Sequence, residues 1–193
     1  TGCGPVAMGQ IMWYWEWPKK SDYRIYNWNL MPSALSNNST SLQGMEVSQL
    51  LNECGLAANK GSISCNTWTT VENVKDAFKN HFFYKGVDIR VRASWPGDPW
   101  LDLMRAEIDA ERPVLYRADE GDLDSDKHIF VLAGYDNDDP DYFCFNFGWG
   151  SNYISYQYLN DISPGTYGPF DANHMAIIGI SPSFIEVPDN LYD

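Results

Sequence analysis

The sequence has few residues of the kinds that build metal centres, disulfide frameworks and nucleic-acid-binding surfaces. It contains four cysteines and three histidines in 193 residues, with no Cys-X-X-Cys pair, which argues against a zinc site and a disulfide scaffold. Lysine and arginine number 13 against 26 acidic residues, and a net charge of −13 argues against a nucleic-acid-binding protein. No apolar run approaches the roughly 18 residues that span a bilayer. We therefore expect no metal, no other cofactor, no nucleic-acid partner and no membrane span.

The rest of the composition is that of a protein with a sizeable core. Apolar residues make up 44% of the chain and aromatic residues 15%, which argues against disorder. The length suits one domain or two small lobes that share a core. The acidic excess fits a soluble protein, often an extracellular one. No signal-peptide pattern is visible, which leaves a cytosolic protein or one already processed. We expect a processed protein that is secreted or held at the cell surface.

Apolar residues recur at helical spacing in four segments of residues 1–112. The first segment begins at Gly4-Pro5, where a proline in the first turn loses no helical hydrogen bond, and it stops before Pro18. It is apolar on nearly all sides, which predicts a buried central helix. The other signals are the stripe of Val47, Leu50, Leu51 and Cys54 closed by Gly55, a capping box of Thr69 and Glu72, and an Asp98-Pro99 cap on a helix ended by Pro113.

The second half of the chain has the pattern of a β-structure. Short apolar runs separated by Gly, Asn, Asp and Pro predict strands at 114–116, 128–133, 142–147, 153–158 and 175–180. Such strands suit an antiparallel, curled sheet. The prediction is an α+β fold in a single domain, 1–193, with a mainly helical lobe over 1–112 packed on a β lobe over 113–193.

The cysteine at position 3 stands directly before the first predicted helix. The partial positive charge of a helix N-terminus lowers the pKa of a thiol, and the thiolate is a nucleophile in acyl transfer. By contrast, Cys54 lies on an apolar stripe and Cys144 lies in an aromatic strand, so both are predicted to be small buried residues. Cys3 is therefore the candidate nucleophile.

A thiol nucleophile needs a base, and the chain offers three histidines. His81 follows a helix among polar residues and is predicted to be solvated, and His174 begins the last strand beside an asparagine. His128 opens the strand "HIFVLAGYD", from which an imidazole can face a helix end. Asn146 ends a later strand, and its amide would fix the tautomer of the imidazole. The order Cys, His, Asn is that of papain-like proteases, although these residue types are common.

The segments around Cys3, His128 and Asn146 make this order a more specific signal. The segments "TGCGPVAMGQIMWYWEWP", "HIFVLAGYD" and "NFGWGS" resemble the nucleophile, general-base and Asn-Trp-Gly-Trp-Gly-Gly segments of the streptopain family of papain-like cysteine peptidases. Similar segments, such as "EVSQLLNECGL" and "ERPVLY", extend the resemblance over nearly the whole chain. The resemblance implies a papain-like fold with a central nucleophile helix, and it implies peptide-bond hydrolysis.

The resemblance also implies a role for each residue of the candidate site. Cys3 would be the nucleophile, with its own backbone N–H as an oxyanion donor, and His128 would act as base and then as acid. Asn146 would orient His128. The expected wall of the site is Phe147, Gly148 and Trp149, with the Trp149 indole close to the imidazole. The alternative interpretation of Trp149 is that it only packs in the core.

Several positions depart from the family pattern. Phe147 stands where the family has a tryptophan, and Ser151 stands where it has a glycine. The pair Asp126-Lys127 replaces small residues before the histidine, and Cys65 and Trp68 lie in a stretch that is usually rich in Gly and Ser. None of these changes removes the nucleophile or the base.

Residues 119–126, "DEGDLDSD", place five carboxylates just before His128. They could form a solvated loop, a rim that favours basic peptides, or a calcium site, although the spacing is not that of an EF-hand. If these carboxylates lie close to His128, they should favour its protonated form.

Two classes of function fit these observations. The first is a secreted bacterial cysteine endopeptidase that acts on protein or peptide substrates, and the second is a catalytically silent peptide- or glycan-binding module on the same fold. Retention of Cys3, His128 and Asn146 favours the enzyme. Papain-like enzymes take a second oxyanion donor from a glutamine upstream of the nucleophile, and we expect Gln10 to point elsewhere. The expected partner is therefore a propeptide or upstream segment that supplies this glutamine.

Overall fold

A computed structural model of the chain describes residues 2–59, 69–94, 96–121, 126–150 and 153–182. Within them the helices are α1 (Cys3–Trp15), α2 (Ser41–Ala58), α3 (Val71–Asn80) and α4 (Asp98–Asp109). The strands are β1 (Tyr84–Lys85), β2 (Asp88–Val91), β3 (Val114–Glu120), β4 (Lys127–Tyr135), β5 (Tyr142–Asn146), β6 (Ile154–Tyr158), β7 (Phe170–Ile178) and β8 (Ser181–Pro182). None of the helices in these ranges combines the length and apolarity that a membrane crossing needs.

Helix α1 is the central element of the helical half. Seven of its residues are buried, among them Met8, Ile11 and Met12, which have no exposed surface. Pro5 lies in the first turn, where its missing N–H costs no helical hydrogen bond. The helix ends at Glu16, which adopts a left-handed conformation with φ of 46°. The predicted buried helix is therefore present, and it begins at Cys3, one residue before the expected Gly4.

The signals that set the ends of the other helices differ from those predicted. Helix α2 runs through Gly55, and it begins at a capping box formed by Thr40 and Gln43. Helix α3 is capped by the hydroxyl of Thr70, whereas the hydroxyl of Thr69 donates to the carbonyl of Ala58. Adjacent threonines compete for the cap, and the contact between the loop and α2 decides which of them is used.

Six strands form one antiparallel sheet in the order β2-β7-β3-β4-β5-β6, and β1 pairs with β8 in a second, two-stranded sheet. Strand β2 comes from the half of the chain predicted to be helical, and it pairs with β7 from the other half. The chain thus has the predicted α+β, antiparallel architecture, with one edge of the sheet contributed by residues before 113.

The central sheet separates two apolar cores. Because side chains alternate along a strand, Ile129 and Val131 of β4 face the core that contains α1, α2 and α3. Phe130 and Leu132 face the opposite core, which contains α4 and the aromatic residues of β5. Helix α1 packs against β4. This packing brings the start of α1 to the start of β4, where the candidate nucleophile and base lie.

Candidate active site

Cys3 is the first residue of α1 and is half-buried. Among the described residues no side chain caps this helix end at Gly2, and the backbone N–H groups of Cys3 and Gly4 have no helical carbonyl to bond to. A backbone hydrogen bond from Ile129, the residue after His128, reaches the thiol of Cys3. The structure therefore brings the sulfur to the beginning of β4, as the order of motifs predicted.

Burial sets the protonation state of this thiol. Removal from water raises the pKa of Cys3, and backbone hydrogen bonds from Ile129, Gly4 and Cys3 itself lower that pKa by less. The expectation that the helix N-terminus would lower the Cys3 pKa is therefore wrong in its net direction. Because the thiol keeps its proton, a base must take this proton before the sulfur could act as a nucleophile, and His128 is the candidate base.

His128 lies near the start of β4 and is only 6% exposed. Its Nε2 donates to the backbone carbonyl of Phe147 at 2.9 Å, because a carbonyl can only accept. This bond leaves Nδ1 of the neutral ring as the proton acceptor. Burial lowers the pKa of His128 to about 4, and the Phe147 carbonyl raises it by less. The acidic segment was predicted to favour the protonated imidazole if it lay close to His128, but the pKa of His128 is lowered and not raised.

The orienting group of His128 is a backbone atom. The side chain of Asn146 was expected to hold the imidazole, but its Oδ1 accepts hydrogen bonds from Gln10 Nε2 and from Gly148 N, each at 3.0 Å. Among the described contacts, His128 Nε2 is held by Phe147 O instead. Asn146 thus shapes the turn that carries the carbonyl, and the hydrogen bond expected from its side chain to the imidazole is made by the Phe147 carbonyl.

An aromatic wall surrounds the His128 ring. Trp149 stacks on it with ring centroids 4.3 Å apart and planes 25° apart, and Trp149 itself is 38% exposed. Phe147 lies almost parallel to the imidazole at 6.3 Å and is 1% exposed, so it is a buried support and not a substrate-facing surface. The expected proximity of the indole to the imidazole is present in the structure, and the indole shields the ring from water.

Gly148 connects this wall to α1. It has φ of 76°, and a Cβ atom placed on it would lie 2.8 Å from Val6 Cγ1. A side chain here would therefore be both strained and in collision with the helix. The close approach fixes the loop after β5 against the helix that carries Cys3.

The sequence model of the peptidase C10 family matches residues 1–157, which is most of the chain and includes Cys3, His128 and the loop at 146–149. The chain belongs to the peptidase C10 family. The suspected family is thereby confirmed, and it is a family of cysteine peptidases.

Relatives and solved structures agree with this family. The chain is 30% identical to the thiol protease/hemagglutinin PrtT of Porphyromonas gingivalis over 97% of its own length, and 25% identical to streptopain of Streptococcus pyogenes over 94%. It spans 24% of PrtT and 52% of streptopain. The interpain A cysteine protease of Prevotella intermedia has a similar structure, with a TM-score of 0.81, 20% identity and coverage of 91% of this chain and 81% of that chain. The fold is therefore papain-like.

The other two histidines of this C10 family member lie in hydrogen-bonded contacts away from Cys3. His81 was expected to be solvated, but its Nε2 lies 2.9 Å from Glu53 Oε1 and its ring stacks on Tyr23. His174 is 5% exposed, and its Nδ1 is hydrogen-bonded to the hydroxyl of Tyr116 at 2.9 Å. These contacts indicate a structural role for each of the two histidines.

The acidic segment before His128 is only partly a loop. Asp119 and Glu120 belong to β3, and Asp119 is 2% exposed and forms an ion pair with Arg117 at 2.6 Å. Asp119 therefore cannot be part of a solvated rim. Asp126 is exposed, whereas Asp122 and Asp124 lie outside the described residues, as do Cys65, Trp68 and Ser151. In the described ranges no group of three or more His, Cys, Asp or Glu residues could hold a metal ion.

Two contributors to the site were missed by sequence reasoning. Gln10 was expected only to point away from the oxyanion position; its amide contacts Asn146 and lines an apolar cavity of about 560 Å³ between α1, α2 and the sheet. Neither Cys3 nor His128 lines this cavity. The Phe147 carbonyl is the second contributor. The helical spacing of Val6 and Gln10 was a usable signal, since it places both on one face of α1, whereas a backbone carbonyl leaves no mark in a sequence.

Proposed function

We propose that this chain is a cysteine endopeptidase that hydrolyses peptide bonds through a thioester on Cys3, with His128 as the general base. The observation that carries the proposal is the position of Cys3 at the uncapped N-terminus of a buried helix, beside the strand whose His128 is held by the Phe147 carbonyl. Family membership supports the same chemistry.

The reaction begins with transfer of the Cys3 proton to Nδ1 of His128 as the sulfur attacks the peptide carbonyl carbon. The tetrahedral intermediate expels the amine, which takes the proton from His128, and a thioester remains on Cys3. Water then attacks the thioester, with His128 as base, and the acid product leaves as the thiol reforms. The Phe147 carbonyl favours the imidazolium that exists between these proton transfers, because its bond to Nε2–H strengthens when the ring is charged.

The negative oxygen of the intermediate needs hydrogen-bond donors. The backbone N–H groups at the start of α1, which have no partner within the helix, provide the first donor, and that of Cys3 is the candidate. Gln10 is engaged with Asn146, so it does not serve as the second. A propeptide or upstream segment that supplies a side-chain amide is part of the proposal, in line with the structural match to a prointerpain A fragment of Prevotella intermedia (TM-score 0.77, 21% identity).

The proposed setting is outside the cell, after processing. The net charge of −13 suits a soluble protein that works in the extracellular medium, and proteins or peptides are the proposed substrates. The half-exposed Trp149 lies 4.7 Å from Tyr167, which is 51% exposed, and these rings would offer an apolar surface to a peptide beside the thiol.

The decisive experiment compares the wild-type chain with Cys3→Ala and His128→Ala, and with His81→Ala and His174→Ala as controls of the same chemistry. We expect hydrolysis of a casein or fluorogenic peptide substrate to fall by at least about 10³-fold in the first two, because nucleophile and base act together. The controls should keep their turnover wherever circular dichroism shows a folded protein.

Equal activity in the wild-type chain and Cys3→Ala would overturn the assignment. Peptide or glycan binding that is unaffected by Cys3→Ala, in a protein without turnover, would instead establish the silent binding module. Mass-spectrometric mapping of iodoacetamide should find Cys3 labelled well before Cys54, whose pKa is raised by complete burial.

A further inference from the structure

The loop that holds His128 is fixed to α1 at two points on one face of the helix. Val6 contacts the loop where Gly148 has no side chain, and Gln10, one turn later, donates from Nε2 to Asn146 Oδ1 at 3.0 Å. The same Oδ1 accepts from Gly148 N at 3.0 Å, which closes a turn around Phe147. The Phe147 carbonyl inside this turn is the acceptor for His128.

The chemistry of these contacts requires a glutamine at position 10. The backbone N–H of Gly148 can only donate, so the Asn146 atom that faces it must be the amide oxygen. The Gln10 atom that faces this oxygen must then be its NH₂ group. A glutamate of the same shape would place an oxygen against an oxygen, and a methionine of similar length would have no donor.

The amide oxygen of Gln10, Oε1, shows that a glutamine at this position does not maximise the stability of the fold. Gln10 Oε1 is buried and has no hydrogen-bond partner among the described residues, and Gln10 lines the apolar cavity beside α1. An unsatisfied buried acceptor is destabilising, so an apolar side chain would suit this position better if packing were its only task.

We propose that Gln10 is a positioning residue for His128: it holds the Asn146 side chain, which fixes the 146–148 turn and so keeps the Phe147 carbonyl on Nε2 of the imidazole. This inference rests on the proposed function and names a residue through which that site is ordered. Gln10 touches neither the thiol nor the imidazole, so it acts only through the turn.

One helix then sets the positions of both reacting groups. Cys3 begins α1 and Gln10 lies seven residues later, about 10 Å along the axis. The nucleophile and the support of the base therefore share one buried, rigid element. A displacement of α1 would therefore move the thiol and the Gln10 amide together.

The test compares the wild-type chain with Gln10→Met, Gln10→Glu, Asn146→Ala and the double variant of Gln10→Met with Asn146→Ala. Gln157→Met is the control, because the amide of Gln157 is also hydrogen-bonded, to Ser155 and Ser163, but lies in β6. The measurements are kcat and KM for a fluorogenic peptide, the rate of Cys3 alkylation by iodoacetamide at pH 7, and the melting temperature.

We expect Gln10→Met to lower kcat about tenfold, the effect of one lost hydrogen bond, with KM within about twofold of wild type. Its melting temperature should be unchanged or higher, since the unsatisfied Oε1 is removed. Gln10→Glu should lower kcat further. The double variant should have the kcat of Asn146→Ala within about twofold, because the two residues act in one chain of contacts. Gln157→Met should keep the wild-type kcat.

A wild-type kcat in Gln10→Met, independent effects that multiply in the double variant, or a loss of activity that follows only a lower melting temperature would each overturn the inference. If the wild-type chain shows no turnover, the proposed function fails, and the inference is then decided by alkylation. A Cys3 alkylation rate lowered in both Gln10 variants and unchanged in Gln157→Met supports it, and equal rates in all of them refute it.

Discussion

The His128 imidazole is held by one hydrogen bond and by rings on several sides. Its Nε2 is fixed by the Phe147 carbonyl, and Trp149 covers one face while Phe130 and Phe170 lie within 6 Å between centroids. A ring enclosed in this way keeps one tautomer and one orientation, and it loses much of its hydration. The same enclosure lowers its pKa to about 4, so at neutral pH it is a neutral acceptor ready for the Cys3 proton.

Removal of the indole should therefore change both the protonation and the function of His128. In Trp149→Ala we expect the pKa of His128 to rise towards its ordinary value, because burial is the main cause of the shift, and kcat to fall about tenfold. The pKa is measured by NMR titration of the His128 ring proton. Trp149→Phe should preserve most of the activity.

The control for this prediction is Tyr23→Ala, which removes a stacked ring from His81 at 5.5 Å and should leave turnover unchanged. An unaltered His128 titration in Trp149→Ala would show that the indole does not shield the imidazole.

At the scale of elements, the contact between α1 and the loop after β5 controls the geometry of the site. The loop approaches so closely that Gly148 has no room for a methyl group next to Val6. Gly150 has φ of 105°, but a Cβ atom placed on it would meet nothing within 4 Å among the described residues. A side chain at Gly148 would therefore bring both backbone strain and a collision with α1, whereas a side chain at Gly150 would bring backbone strain alone.

We expect both Gly148→Ala and Gly150→Ala to lower stability by about 1–2 kcal/mol from the positive φ alone. Gly148→Ala should also lower kcat, because the collision displaces the Phe147 carbonyl from His128. Addition of Val6→Ala should restore part of the lost stability and kcat in the Gly148→Ala background only. Urea unfolding and peptide turnover measure both effects, and equal rescue in the two backgrounds would contradict the proposed collision.

The sequence predicted most of the strands and helices, but it did not predict all of them or their exact ends. The apolar runs of β3, β4, β5, β6 and β7 were visible in the sequence, whereas β2, Asp88–Val91, was missed although its residues alternate polar and apolar, because the run is only four residues long. Its strand state depends on pairing with β7, more than 80 residues later. The Thr69–Thr70 pair shows the same limit, since either hydroxyl could cap α3 and only the packing against α2 decides.

At the scale of the whole molecule, the fold buries two histidines, His128 and His174. Burial lowers the pKa of both His128 and His174 to about 4. The unfolded chain binds these protons near pH 6.5, so the unfolded state gains stability as the pH falls from 6.5 towards 4. Above pH 6.5 both states are neutral and the effect vanishes.

We therefore expect the free energy of unfolding to decrease on acidification from pH 7 to pH 5, with about 1–2 kcal/mol from each histidine. In His174→Phe the hydrogen bond with Tyr116 is lost, which lowers stability at pH 7, but the decrease in the free energy of unfolding between pH 7 and pH 5 should shrink by the contribution of His174. Urea titrations at the two pH values measure this difference. A pH dependence as steep as that of the wild-type chain would exclude His174 as a contributor.

The sequence by itself determined the family, the α+β class and the central helix, and it singled out Cys3 and His128 as the candidate reacting residues, because apolar periodicity and the motifs around these two residues are local patterns. Only the tertiary structure decided how those residues work. The Gln10–Asn146 bond joins positions 136 residues apart, and the group that orients His128 is a carbonyl that every residue possesses. The opposite pKa shifts of Cys3 and His128 arise from desolvation, which depends on what the folded chain packs around each group.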